Sequence, residues 1–100
     1  MKVNWTNHAL GQLVDIHDYI LNDSKIYAKI VVDRITKSTK KLQVHPQIGR
    51  RVPELNQHNI REIIHGNYRI IYKLENEEID ILSVVHSAQQ FSTYNIHENE

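Results

Sequence analysis

The sequence predicts an α+β domain: an N-terminal strand and an antiparallel helical hairpin packed on one face of a small, mainly antiparallel sheet that closes with a three-strand meander. Three observations carry this expectation. Apolar residues recur at helical spacing from about residue 7 to 44, the period changes to two from Ile60, and a turn-rich segment holding Pro46, Gly49 and Pro53 lies between. With 100 residues, three glycines, two prolines and no cysteine, the chain has apolar surface for one core and not two. A single domain is expected over residues 1–91, followed by a polar tail over 92–100 that frays.

Lys2 to Trp5 alternates polar and apolar side chains, which suits a short half-buried strand. Thr6 or Asn7 then offers an N-cap oxygen, and Ala9, Leu13, Ile16 and Ile20 mark the buried stripe of a helix over about residues 7–22. Asn22-Asp23-Ser24 is turn chemistry with Ser24 as the next N-cap, and Ala28, Val31, Ile35 and Leu42 continue the stripe of a second helix to about residue 44. Pro46 ends it, because proline has no N–H to donate and restricts the residue before it. Residues 46–59 read as a loop anchored on the domain by Ile48, Val52 and Leu55. Ile60 to His65, Tyr68 to Leu74 and Ile79 to His86 are β-branched and aromatic runs separated by Gly66-Asn67 and Asn76-Glu77, the pattern of a meander.

Those two turns set a register. His65 falls opposite Tyr68 and Leu74 opposite Ile79, and an unbroken ladder places Arg69 opposite Val84. Ile63, Ile70, Tyr72, Leu74, Ile79, Ile81 and Val85 then share the face that the helices cover. The opposite face is expected to be open, with Glu62, Arg69 and His86 on it. Arg69 and His86 become diagonal neighbours about 7–8 Å apart, near enough for both tips to address one anionic group. A plainer reading pairs Glu62 with Arg69 or Lys73 as a cross-strand ion pair.

Twelve basic residues balance twelve acidic ones, so the chain is not a uniformly basic nucleic-acid binder. The distribution is uneven: residues 1–50 hold eight basic and four acidic side chains, residues 51–100 the reverse, and Arg34 to Arg51 contains six basic residues and no acidic one. That window fits either a polyanion footprint or lysines favoured by a helix C-terminus, whereas Arg50 and Arg51 lie in a loop with no helical reason to be basic. Without cysteine there is no disulfide, thiolate metal site or cysteine nucleophile, and the seven histidines show no metal-ligand spacing, so neither metal nor cofactor is expected. No apolar run is long enough to span a membrane and the N-terminus does not read as a signal peptide, which suits a cytoplasmic protein. RNA cleavage through the substrate's own 2′-OH needs a base, a cation for the phosphate and an acid for the leaving oxygen, roles that Glu54, Arg69 and His86 could fill in that order.

Pro46-Gln47-Ile48-Gly49-Arg50-Arg51-Val52-Pro53-Glu54, then Ile60-Arg61-Glu62, Gly66-Asn67-Tyr68-Arg69-Ile70-Ile71-Tyr72 and Val84-Val85-His86, in this order after a strand and a helical hairpin, resemble the RelE/ParE superfamily of bacterial type II toxin-antitoxin toxins over about residues 2–91. The loop motif and long hairpin look closer to the ParE-like branch. The resemblance implies a small cytoplasmic toxin, of the kind tied to plasmid stabilisation, that inhibits DNA gyrase and forms a hetero-oligomer with a neutralising antitoxin. It also implies alternatives: a metal-independent mRNA endoribonuclease acting on the ribosome, or a degenerate toxin that only binds its antitoxin. Arg69 matches the strand arginine that the nuclease branch uses for phosphate, and Glu54 and His86 fall where a related nuclease subgroup has a glutamate and a histidine. The family usually carries arginine three residues after this histidine, and Gln89 stands there instead, unable to supply positive charge. Arg50, Arg51, Arg61, Arg69 and Gln89 are the candidate target- or phosphate-binding residues.

Overall fold

In the computed structural model, residues 1–55 and 57–87 are described; Gln89 and the expected tail over 92–100 lie outside them. Strand β1 (Lys2–Trp5) leads to helix α1 (Asn7–Leu21) and helix α2 (Lys25–Lys40), which runs into a single 3₁₀ turn at Lys41–Gln43. Strands β2 (Arg50–Arg51), β3 (Ile60–His65), β4 (Tyr68–Glu75) and β5 (Glu78–His86) follow. The five-stranded sheet has the order β1-β5-β4-β3-β2, with β1 parallel to β5 and the other pairs antiparallel.

Both helix starts use the expected chemistry. The Thr6 hydroxyl accepts the Ala9 N–H at 3.1 Å and itself donates to the Ile81 carbonyl at 2.9 Å, so one side chain caps α1 and ties it to β5. The Ser24 hydroxyl accepts the Tyr27 N–H at 3.1 Å and caps α2. The buried stripes Ala9, Leu13, Ile20 and Ala28, Val31, Ile35 press onto Ile70, Tyr72, Ile79, Ile81 and Val84 of the sheet. Each such leucine, isoleucine or valine side chain contributes about 1.5–3 kcal/mol when fully buried. At the Asn76-Glu77 turn both residues take a positive φ, 55° and 59°, and Gly66 opens the other turn at 57°. Two left-handed residues in succession match the twist of a tight hairpin, which fixes Leu74 opposite Ile79 as expected.

The ladder between β4 and β5 is not continuous. Tyr72 faces Ile81 but Ile71 faces Ser83, so Leu82 is an extra residue in β5 and the register slips by one. The Val84 N–H donates to Gln12 Oε1 at 2.8 Å and the Ser83 hydroxyl to the same oxygen at 3.0 Å, so α1 supplies an acceptor at the irregularity. The slip corrects the expected faces. Arg69 lies opposite Val85 rather than Val84, Val84 joins the helix-covered core, and Val85 moves to the other side.

That other side is not open as expected. Val52 and Leu55 dock on Ile60, Ile71, Leu82 and Val85 and make a second, smaller core. Ile48, expected as a third anchor, is 58% exposed. The segment expected to be wholly loop also contributes β2, whose two residues pair with Arg61 and Glu62.

Candidate functional site

The docked loop brings its charged side chains onto β3 and β4. Arg50 lies directly opposite Glu62 across the β2–β3 pair, and its Nε donates to Glu62 Oε2 at 2.7 Å. From the other flank Arg69 Nε donates to Glu62 Oε1 at 2.8 Å. Glu54, carried on the loop just after Val52, meets the outer edge of the same guanidinium with both oxygens, at 2.8 and 2.9 Å from Nη1 and Nη2. All three Arg69 nitrogens therefore donate to carboxylates.

The four charges sum to zero in an environment that is dry at its centre. The Glu62 side chain is fully buried, Arg69 is 12% exposed and Glu54 is 40% exposed. The hydrogen bonds from Arg69 hold the Glu54 carboxyl below its ordinary value, and those to Glu54 and then Glu62 push the guanidinium further up. A carboxylate with both oxygens committed and a lowered pKa is a poor general base near neutral pH.

Tyr72 fixes the loop from the helix side. Its hydroxyl accepts the Gly49 N–H at 3.0 Å and donates to the Pro46 carbonyl at 2.8 Å. A Cβ on Gly49 would lie 2.6 Å from both the Tyr72 hydroxyl oxygen and the Glu62 carbonyl oxygen, so only glycine allows this approach. Arg61 Nη1 donates to the Gly49 carbonyl at 2.8 Å. Arg51 is exposed and directly opposite Arg61, and neither forms an ion pair among the described residues.

The sequence-derived site is thus brought together in part. Glu54 and Arg69 meet, and Arg50 joins them through Glu62. The slip at Leu82 turns His86 to the helix-covered face, opposite Tyr68, with the two rings edge-on at a centroid distance of 5.4 Å. The expected diagonal pair of Arg69 and His86 on one face does not form. Glu62 as an ion-pair partner of Arg69 was legible from spacing. Its second partner Arg50 and its complete burial were not, because both depend on how the loop folds back. The Tyr72 staple had a faint signal in Gly49 within an otherwise bulky segment. Among the described residues no cluster of histidine, aspartate or glutamate could hold a metal, and no helix is long and apolar enough to cross a membrane.

A small sheet backed by a helical hairpin is a fold with a solved counterpart. The chain is similar to a structure described as the chromosomal ParDE TA system from P. aeruginosa, with a TM-score of 0.70 and 24% identity, covering 86% of this chain and 95% of that one. The description of the ParE toxin of the type II toxin-antitoxin system, parDE, matches residues 3–91. The chain belongs to this ParE toxin family. Comparison with curated proteins gave no match.

Proposed function

We propose that the protein acts in the cytoplasm by binding DNA gyrase and impairing it, and that a cognate antitoxin neutralises it in a hetero-oligomeric complex. Membership of the ParE family supports the toxin role. The observation that weighs for a binding toxin and against an RNA-cleaving one is the state of Arg69. Its nitrogens are taken by Glu54 and Glu62, while His86 lies on the opposite face of the sheet. A nuclease of this plan needs the arginine on the phosphate and the histidine beside it, and here neither condition is met. The exposed Arg51, together with the outward part of Arg50, is the cationic surface that the loop offers a large target.

Incubating the purified protein with gyrase and supercoiled plasmid tests this reading. Accumulation of cleaved DNA or loss of supercoiling activity is the expected result, weakened by Arg51→Glu. Unimpaired gyrase at excess protein overturns it. Primer extension on translating ribosomes supplies the other arm: discrete mRNA cuts that disappear in His86→Ala would favour the endoribonuclease.

A further inference from the structure

Two arginines stand directly opposite one another where the β2 edge of the sheet meets β3. Arg51 pairs in register with Arg61 and Arg61 with Tyr72, so the three side chains form one cross-strand row on the side of the sheet that carries the helices. Like charges placed opposite one another weaken a sheet. Glu54 and Glu62 are committed to Arg69 and Arg50, and that cluster sums to zero. Among the described residues the row is therefore left with two positive charges that no carboxylate answers.

Arg61 is half-buried and held in place, because its Nη1 donates to the Gly49 carbonyl at 2.8 Å while the Gly49 N–H is taken by the Tyr72 hydroxyl. A guanidinium has five N–H donors, so four remain on a group whose position is already fixed. Charge on an edge strand can serve simply to keep that edge from pairing with another chain. This accounts for Arg51 but not for Arg61, which lies one strand inside the sheet. Successive strand residues point to opposite faces, so Arg50, its side chain 63% exposed, and Arg51 straddle the edge with Arg61 behind them. Cations on both flanks of an edge suit a ligand that carries its charges along a line rather than at a point.

We propose that the Arg51 and Arg61 row is a contact site for the phosphodiester backbone of duplex DNA. The inference rests on the gyrase reading above and deepens it: the toxin touches the DNA that gyrase holds as well as the enzyme. Guanidinium forks match pairs of phosphate oxygens, and backbone positions about 4.5–5.5 Å apart let Arg51 and Arg61 address one phosphate or two successive ones. Such contact is electrostatic and blind to sequence. Single-stranded RNA would also ask for exposed aromatic rings on which its bases stack. Residues 46–65 contain no phenylalanine, tyrosine or tryptophan, and Tyr72 behind the row is fully buried.

The probe is a short labelled DNA duplex, titrated with the full chain by fluorescence anisotropy in the absence of gyrase. Between about 50 and 200 mM salt the affinity should fall about tenfold, a log–log slope near −2 as for two neutralised phosphates, and two duplexes of different sequence should bind alike. Arg51→Gln and Arg61→Gln should each reduce the slope by about one, whereas Arg51→Lys should keep it. Because Arg51 is exposed and its removal relieves the repulsion, Arg51→Gln should melt no lower than the parent protein, and the duplex should raise the Tm of the parent more than that of the variant. No duplex binding at the lower salt, a slope indifferent to Arg51→Gln, tighter binding of a single-stranded RNA of equal length, or equal competition by polyglutamate would overturn the site. Failure in this assay leaves gyrase impairment standing on its own test. Unimpaired gyrase beside intact duplex binding overturns the gyrase reading alone.

Discussion

Removing the Arg69 guanidinium should cost the fold far more than a surface ion pair does. In Arg69→Ala the fully buried Glu62 carboxylate keeps Arg50 alone, and Glu54 loses both of its hydrogen bonds. Breaking a buried pair from one side costs about 3–5 kcal/mol, and the remaining Arg50 places this case at the lower end, about 3 kcal/mol. For a domain of this size that corresponds to a fall in Tm of about 12–24 °C. Thermal and urea unfolding followed by circular dichroism at pH 7 measure it, and Arg69→Lys, a point charge without the planar fork, should recover only part of the loss. The acid limb gives a second readout. Glu54 has a folded pKa below its usual 4.5, so it contributes stability above that value which is lost as the pH falls through the folded pKa. Arg69→Ala should therefore show a shallower loss of stability between about pH 5 and pH 3 than the parent protein. A loss under about 1 kcal/mol at pH 7, as for an exposed pair, with an unchanged acid limb, would refute the picture of a dry, mutually dependent cluster. The same numbers bear on any activity assay, because loss of toxicity in Arg69→Ala is the expected result of unfolding alone.

Gly49→Ala should destabilise by about 1–3 kcal/mol, because the new methyl meets backbone and a buried ring at once; a neutral outcome in urea unfolding would contradict the close approach. Tyr72→Phe removes the partner of the Gly49 N–H and the Pro46 carbonyl and should cost about 1–3 kcal/mol, with amide exchange accelerated at Gly49. In the parent protein, burial holds the Tyr72 and Tyr68 phenols above the usual 10, so stability should decline as the pH rises past 10, and Tyr72→Phe should blunt that decline. Thr6→Ala loses both the α1 cap and the bond to Ile81 and should cost about 1–2 kcal/mol by thermal unfolding.

Much of the fold was legible because its local signals agree with one another. Thr6 and Ser24 mark helix starts that the structure keeps, and the stripes through Leu13 and Ile35 are the ones it buries; α2 stops at Lys40, short of the residue 44 expected from Pro46, and a 3₁₀ turn to Gln43 covers the difference. The slip at Leu82 was not legible, for a specific reason. Ile81, Leu82, Val84 and Val85 are all apolar, so the run fits a sheet buried on both faces in either register, and alternation has nothing to choose between. The error then propagates: one extra residue moves His86 through the sheet and dissolves a constellation that spacing had assembled. The pairing of Glu54 with Arg69 was hidden differently. It depends on where a loop lands, and that is fixed by Val52 and Leu55 docking on Ile60, Ile71, Leu82 and Val85, residues distant from the loop in sequence.

The parallel pairing of β1 with β5 has a kinetic meaning. Lys2 to Trp5 meet partners at Glu78 to Ile81, so the first strand of the sheet waits on the last one among the described residues. Until then the helical hairpin has only part of its sheet to cover, and Thr6 has no Ile81 carbonyl to hold. Contacts this distant in sequence slow folding, since chain closure must precede the energy they return. The order of synthesis thereby sets a delay between translation and a finished sheet, an interval in which a partner already present could engage the chain before it is complete.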